Sequence, residues 1–379
     1  MNYSEAIYLI GLDLFNGERT DSALYHLITG KKTSQTIQDA HLFGLSPLFS
    51  IVPNLKRKQF DETIHHLKAQ NFLILNETSK SLVTDHGKEK VRHFFAEHYF
   101  PADLDGWRYG DAGRIFWGRV SLLIQTLSNL TQNESRFFPV ERDRQIQSWV
   151  KDQLIHSKSA KKTLFDQLYL EWKALFQSTD FPDDPLLIVQ KFSGWNLIGL
   201  TYDQQADSLS CSPDEVYYRF INALHYSLAK IVGKKEDYPM LHHILKDLLK
   251  QDQLFTVSTA ETKRLLDNGM DLIEISRKRR LKPSTIEDHI LELALLDRTL
   301  EKKPFVSEEL YTAISEVAAR SGSKRLKVIK EAIPDADYFQ IRFVLAKENG
   351  EANQWNSYYR KNLALNSSEK DKGRSSATF

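Results

Sequence analysis

The run Met270 to Leu293, MDLIEISRKRRLKPSTIEDHILEL, constrains the fold more than any other stretch, because it spells two short helices joined by a tight turn. Ile273, Ile275 and Leu281 stand at apolar positions of a first helix, and Pro283 follows its end. Ser284 and Thr285 stand where a second helix takes its N-cap. Ile286, Ile290 and Leu293 recur at helical spacing and predict that helix's buried stripe. Its outer face is expected to carry Thr285, Glu287, Asp288, His289 and Glu292, beside the basic cluster Arg277, Lys278, Arg279, Arg280 and Lys282.

This is the layout of a helix-turn-helix, whose second helix enters the major groove N-terminus first while nearby cations and backbone amides hold phosphates. The basic cluster is therefore a candidate phosphate contact, and Ser284, Thr285 and His289 are candidates for positioning or limited base reading. Glu287, Asp288 and Glu292 oppose that reading, since carboxylates repel phosphate unless they accept from cytosine or face away. The plainer alternative is a pair of amphipathic helices whose charges form a solvated face.

At 379 residues, 41% hydrophobic and 27% charged, the chain has the composition of a globular protein with room for two or three cores. Lys and Arg number 51 against 50 Asp and Glu, so affinity for nucleic acid must come from local patches, which excludes a histone-like coating protein. The first residues, MNYSEAIYLIGLDLFNGERT, show no basic leader or cleavage site, and no apolar run approaches the roughly 20 residues of a membrane span. A cytoplasmic, nucleoid-associated protein without membrane contact is expected. The single cysteine, Cys211, excludes an internal disulfide and a cysteine-cluster metal site, and it is read as a small residue at a helix-helix turn.

Three units and a tail are expected. Residues 1–100 show helical patterns at Glu5 to Phe15, Asp21 to Ile28, Ser34 to Phe43 and Lys58 to Ala69. Phe72 to Leu75 and Ser81 to Val83, around a polar turn, predict a β-hairpin, after which Thr84 caps another helix; helices followed by a small hairpin are a winged-helix-like pattern. Lys31, Lys32, Ser34 and Gln35 in that unit either touch phosphates or simply open a helix, the second being favoured. Residues 101–255 form a helical middle domain rich in large aromatics, read as packing rather than base-stacking platforms. Within it, 200–224 is a second helix-turn-helix-like run, with Thr201 as cap, a turn at Ser210 to Ser212, Pro213 opening the second helix, and Val216, Phe220 and Leu224 as its stripe. Asp203, Asp207, Asp214 and Glu215 make that copy acidic, which suits packing better than DNA. Residues 256–348 form the C-terminal helix-turn-helix domain, with further helices at Ser307 to Ala319, Lys324 to Ala332 and Tyr338 to Ala346. Lys324, Arg325 and Lys327, with Lys330, add a second basic stripe. The tail 349–379 is polar and expected to be disordered. The fold class is mainly α and multi-domain.

No catalytic motif stands out. Gly30-Lys31-Lys32-Thr33 ends like a phosphate loop, but Tyr25 occupies the place of its first glycine. Dinucleotide, zinc-helix and nucleophile-elbow motifs are absent from the sequence. His65-His66 and His242-His243 are adjacent, pointing about 100° apart on a helix, and make poor chelates. No enzyme activity, metal, cofactor or small-molecule substrate is expected.

SRKRRLKPSTIEDHILEL and the later KRLKVIKEAIPDADYFQIRFVLA resemble the helix-turn-helix domain at the C-terminus of many RecQ-type DNA helicases. With YHLITGKKTSQTIQDAHLFGLSPLF and the TDHG closing the hairpin, most of the chain looks like the YpbB-like proteins, most strongly at its two ends. The resemblance implies a non-catalytic partner supplying a DNA-binding module in trans to a short RecQ-family helicase, in DNA repair or replication restart. Carried onto this sequence, it points to Arg277 to Lys282 and to Pro283, Ser284, Thr285 and His289. Duplex or forked DNA and the helicase are thus the expected partners. A helix-turn-helix transcription regulator and a purely protein-interaction scaffold are the alternatives.

Overall fold

The computed structural model describes residues 1–157, 159–249, 255–297, 299–321, 326–348 and Trp355, and it is mainly α-helical. The N-terminal segment runs α1 (Tyr3–Phe15), α2 (Asp21–Ile28), α3 (Ser34–Leu42), α4 (Arg57–Ala69), β1 (Leu73–Leu75), β2 (Ser81–Val83) and α5 (Asp85–Glu97). Local chemistry sets most of these limits. Gly30, at φ +76°, closes α2, and the Thr33 side chain accepts the Thr36 amide to open α3. The strands pair antiparallel with Leu73 opposite Val83. Asn76 closes their turn, its Oδ1 accepting the amides of Thr78 and Lys80 at 3.0 Å each. Thr84 then caps α5 through the Gly87 amide.

The middle segment contains α6 (Gly106–Thr131), α7 (Arg144–His156), α8 (Lys161–Phe176), α9 (Leu186–Val189), α10 (Tyr202–Leu209), α11 (Pro213–Gly233) and α12 (Pro239–Leu245). Its core joins Phe116, Val120, Leu123, Trp172, Leu175 and Phe220. Aromatics do pack here, as Trp117 stacks on Phe192 and Trp172 on Phe176, although Tyr169 is exposed. The α10–α11 pair is built as the spacing predicts, with Thr201 and Gln204 forming a reciprocal capping box and Pro213 opening α11.

The C-terminal segment runs α13 (Val257–Asp267), α14 (Leu272–Arg279), α15 (Pro283–Leu296), α16 (Glu308–Ser321), α17 (Leu326–Ala332) and α18 (Tyr338–Glu348). Lys324 and Arg325 lie outside the described residues, as does the tail expected to be disordered, Trp355 excepted. Trp355 is fully buried and stacks on Phe100, with ring centroids 5.0 Å apart.

The three stretches read from sequence come together as two compact units, one of Met1–Ser4 with Pro101–Lys250 and one of Glu5–Phe100 with Gln251–Phe379. In the second unit the N-terminal and C-terminal segments meet because α3 lies against α15 and α18. Arg342 of α18 donates to Gln38 Oε1 of α3 (3.2 and 3.0 Å) and pairs with Asp288 of α15 at 2.5 Å. Among the described residues no helix is long and apolar enough to cross a membrane.

Candidate nucleic-acid interface

Three helices make the frame. Thr256 caps α13, and Asp271 with Glu274 forms a reciprocal capping box that starts α14. Arg280 ends α14 in the left-handed region, at φ 53°. There its amide reaches the Arg277 carbonyl at 3.2 Å and the Leu281 amide reaches the Ser276 carbonyl at 3.1 Å, the paired bonds of a Schellman ending. Ser276 Oγ donates back to the Leu281 carbonyl at 2.7 Å and fixes the turn. Leu265, Ile275 and Ile286 form the small core between the helices.

Details of the turn differ from the sequence expectation. Leu281 lies beyond the first helix, and Ile273 is exposed. Lys282, rather than Ser284 or Thr285, is the N-cap of α15, because proline at 283 takes the first helical position, where its missing N–H costs nothing. Lys282 offers no side-chain cap, and the first turn of α15 has no acidic residue, so the positive end of this helix is left uncompensated by its own sequence.

The larger correction concerns the outer face of α15. This helix is surrounded by α13, α14, α18 and α3. His289, expected outside, is 5% exposed and shares a 2.8 Å hydrogen bond with Thr262 of α13. Burial, reinforced by the charge of Arg279, lowers its pKa to about 4, so it is neutral near pH 7. Glu292, also expected outside, is 1% exposed and turned onto the start of α13, where it accepts from the Thr256 amide and the Thr259 hydroxyl. Burial raises its pKa against those hydrogen bonds. Glu287 and Asp288 are half-buried, and Asp288 is paired with Arg342. Arg279 turns inward as well: its guanidinium donates to the Ser258 carbonyl (2.7 Å) and Oγ (2.9 Å) and to Thr262 Oγ1. That side chain clamps α14 to the start of α13.

What remains open is the turn and the first turn of α15. Arg277, Lys278, Arg280, Lys282, Pro283 and Ser284 are exposed and Thr285 is half-buried. Arg277, Arg280 and Lys282 have no ion pair among the described residues, while Lys278 reaches the Met270 sulfur at 3.8 Å and its charge is felt by Glu261. Lys327, on α17, is exposed and near Glu331 at 3.8 Å. The structure thus gathers Arg277, Lys278, Arg280, Lys282, Ser284 and Thr285, and withdraws Arg279 and His289 into the interior. In the N-terminal segment, Lys31, Lys32 and Gln35 are exposed, but the helix they introduce is packed on α15. Among the described residues no three His, Cys, Asp or Glu side chains are grouped as a metal site.

Two helices locked by a Schellman ending and a proline start, with cations around the second helix's N-terminus, define a helix-turn-helix protein, and residues 258–345 match a helix-turn-helix domain family. Protein YpbB of Bacillus subtilis (strain 168) is 32% identical over 357 residues, covering 92% of this chain and 98% of the relative, so the chain belongs to the YpbB family. No solved structure matches it.

Proposed function

We propose that this chain is a non-catalytic DNA-binding accessory protein that partners a short RecQ-family helicase in DNA repair or replication restart. One observation carries the DNA part: Arg277, Arg280 and Lys282 stand exposed and unpaired around an uncapped helix start within a helix-turn-helix frame. Cations and free amides at such a terminus suit the phosphate backbone. The helicase part rests on the family resemblance. Because α15 is enclosed along its length, only its first turn can approach a groove, which favours backbone-dominated binding over extended base reading. That counts against a sequence-specific regulator. The scaffold alternative rests on the acidic residues of both helix-turn-helix runs, yet in the C-terminal run Asp288 and Glu292 have partners inside the protein.

The test is binding of the full chain to labelled duplex, single-stranded and forked DNA across a salt titration, with and without a RecQ-family helicase from the same cell. The reading expects salt-sensitive duplex or fork binding that weakens when Arg280 and Lys282 become Glu, and unwinding that extends further when the protein is present. Absence of salt-sensitive binding defeats the DNA assignment, and unwinding that ignores the protein defeats the partnership. A sharp palindromic consensus selected from random duplex would point to the regulator instead.

A further inference from the structure

We infer that the middle unit carries a separate site for single-stranded nucleic acid, built on the loop 133–143 and the turn 193–199 and independent of the helix-turn-helix reading. Phe138 is 94% exposed, an unusual place for a phenylalanine whose backbone is held in position. Gln125, a buried residue of α6, holds it: the side-chain amide donates to the Phe138 carbonyl at 3.1 Å and its oxygen accepts the Val140 amide at 2.9 Å. Three residues further along α6, on the same side of that helix, Ser128 Oγ accepts the Trp195 amide at 3.0 Å. Trp195 is itself about half exposed, in a tight turn closed by bonds between Gly194 and Leu197. Two exposed rings are therefore hung from neighbouring turns of one helix.

The charges around Phe138 are asymmetric in what they do. Glu134 accepts the Arg136 amide (2.6 Å), Glu141 accepts the amides of Arg142 and Asp143 (2.7 and 2.8 Å), and Asp143 caps α7. The loop's carboxylates are thus bound to its own backbone. Arg136, Arg142 and Arg144 are exposed and have no ion pair or side-chain partner among the described residues. Exposed aromatic faces on a held backbone give bases something to stack on, and guanidinium groups beside them suit phosphates. A duplex keeps its bases stacked inside, so the ligand is single-stranded.

The full-length protein is titrated with a fluorescent oligomer of about twenty thymidines, and separately with a duplex, at low salt. Phe138→Ala and Trp195→Ala are each expected to weaken oligomer binding about tenfold and to leave duplex binding unchanged. Trp195→Phe should retain most of the affinity, and Arg142→Gln with Arg144→Gln should make the salt dependence shallower. Phe138 is nearly fully exposed, so its alanine variant should unfold at the wild-type temperature. No oligomer binding by the wild type, or equal affinity in both alanine variants, overturns the assignment; loss of helicase association without loss of oligomer binding shows instead a protein-docking surface. Arg280→Glu with Lys282→Glu should weaken duplex binding about a hundredfold and spare the oligomer, so the two sites fail separately.

Discussion

The two helix-turn-helix runs are the same frame finished in opposite ways. Thr201 with Gln204 and Asp271 with Glu274 start the first helices by identical capping boxes. Ser210 at φ 50° and Arg280 at φ 53° end them, and Pro213 and Pro283 open the second helices. Val216 with Phe220 and Ile286 with Ile290 are the corresponding buried pairs. In each run the second helix also anchors the start of an earlier one, through Asn222 accepting the Asp103 amide and Glu292 accepting the Thr256 amide. The difference lies in the first turn of the second helix. In α11, Ser212 caps the Glu215 amide, Asp214 and Glu215 sit in the first turn, and Asp214 is bonded by the Ser4 hydroxyl at 2.8 Å. That terminus is filled by its own chain. In α15 no side chain caps the terminus, and Lys282 and Arg280 flank it. A shared turn therefore does not decide what a helix-turn-helix does; whether its N-terminal amides are already occupied does.

This contrast can be broken in several ways. The largest expected effect is on stability against pH. His289 has its pKa lowered by burial to about 4 from the ordinary 6.5, so the unfolded chain binds the proton first as pH falls. Its contribution is present above pH 6.5 and lost as pH drops towards 4, amounting to about 3 kcal/mol. Denaturant unfolding across that range should show the decline, and His289→Gln should flatten it for the transition of the unit containing α15. Next, Arg279→Met should cost about 2 kcal/mol in the same unit by leaving the start of α13 unpaired, while changing the salt slope of duplex binding little. Such a variant with intact stability and lost DNA affinity would place Arg279 on the DNA after all. Arg280→Glu with Lys282→Glu should do the reverse, lowering duplex affinity roughly a hundredfold at low salt and the slope of log K against log salt by about 2, with unfolding unchanged. The smallest change is the most diagnostic of the shared frame. Ser210→Gly and Arg280→Gly should each stabilise by about 0.5 kcal/mol, because glycine accepts the left-handed turn freely, yet only the second should weaken DNA binding.

Much of this was legible in the sequence because caps, proline starts and hydrophobic periods are local. The limits of α2, the hairpin, the cap of α5 and the whole α10–α11 turn follow from residues within a few positions of each other. The enclosure of α15 was not legible, since it depends on α3, more than two hundred residues earlier. Nor was α13, whose inward positions are Thr259, Thr262 and Leu265. Threonines make no apolar stripe, and without α13 as a partner His289, Glu292 and Arg279 read as surface groups. The turn itself is local in the same way: Arg277, Arg280 and Lys282 lie within six positions of one another and stay exposed around the Schellman ending.

The seat of α3 on α15 also sets an order of events during synthesis. Glu5–Phe100 leaves the ribosome well before the helices that complete its unit, with Pro101–Lys250 made in between. At roughly 5–20 residues per second, the α3 face waits about 12–50 seconds for its cover, long enough for the middle unit to fold first. A nascent chain stalled in that interval would present a half-built core to chaperones, and the DNA-binding turn would acquire its shape only after the middle unit had been made.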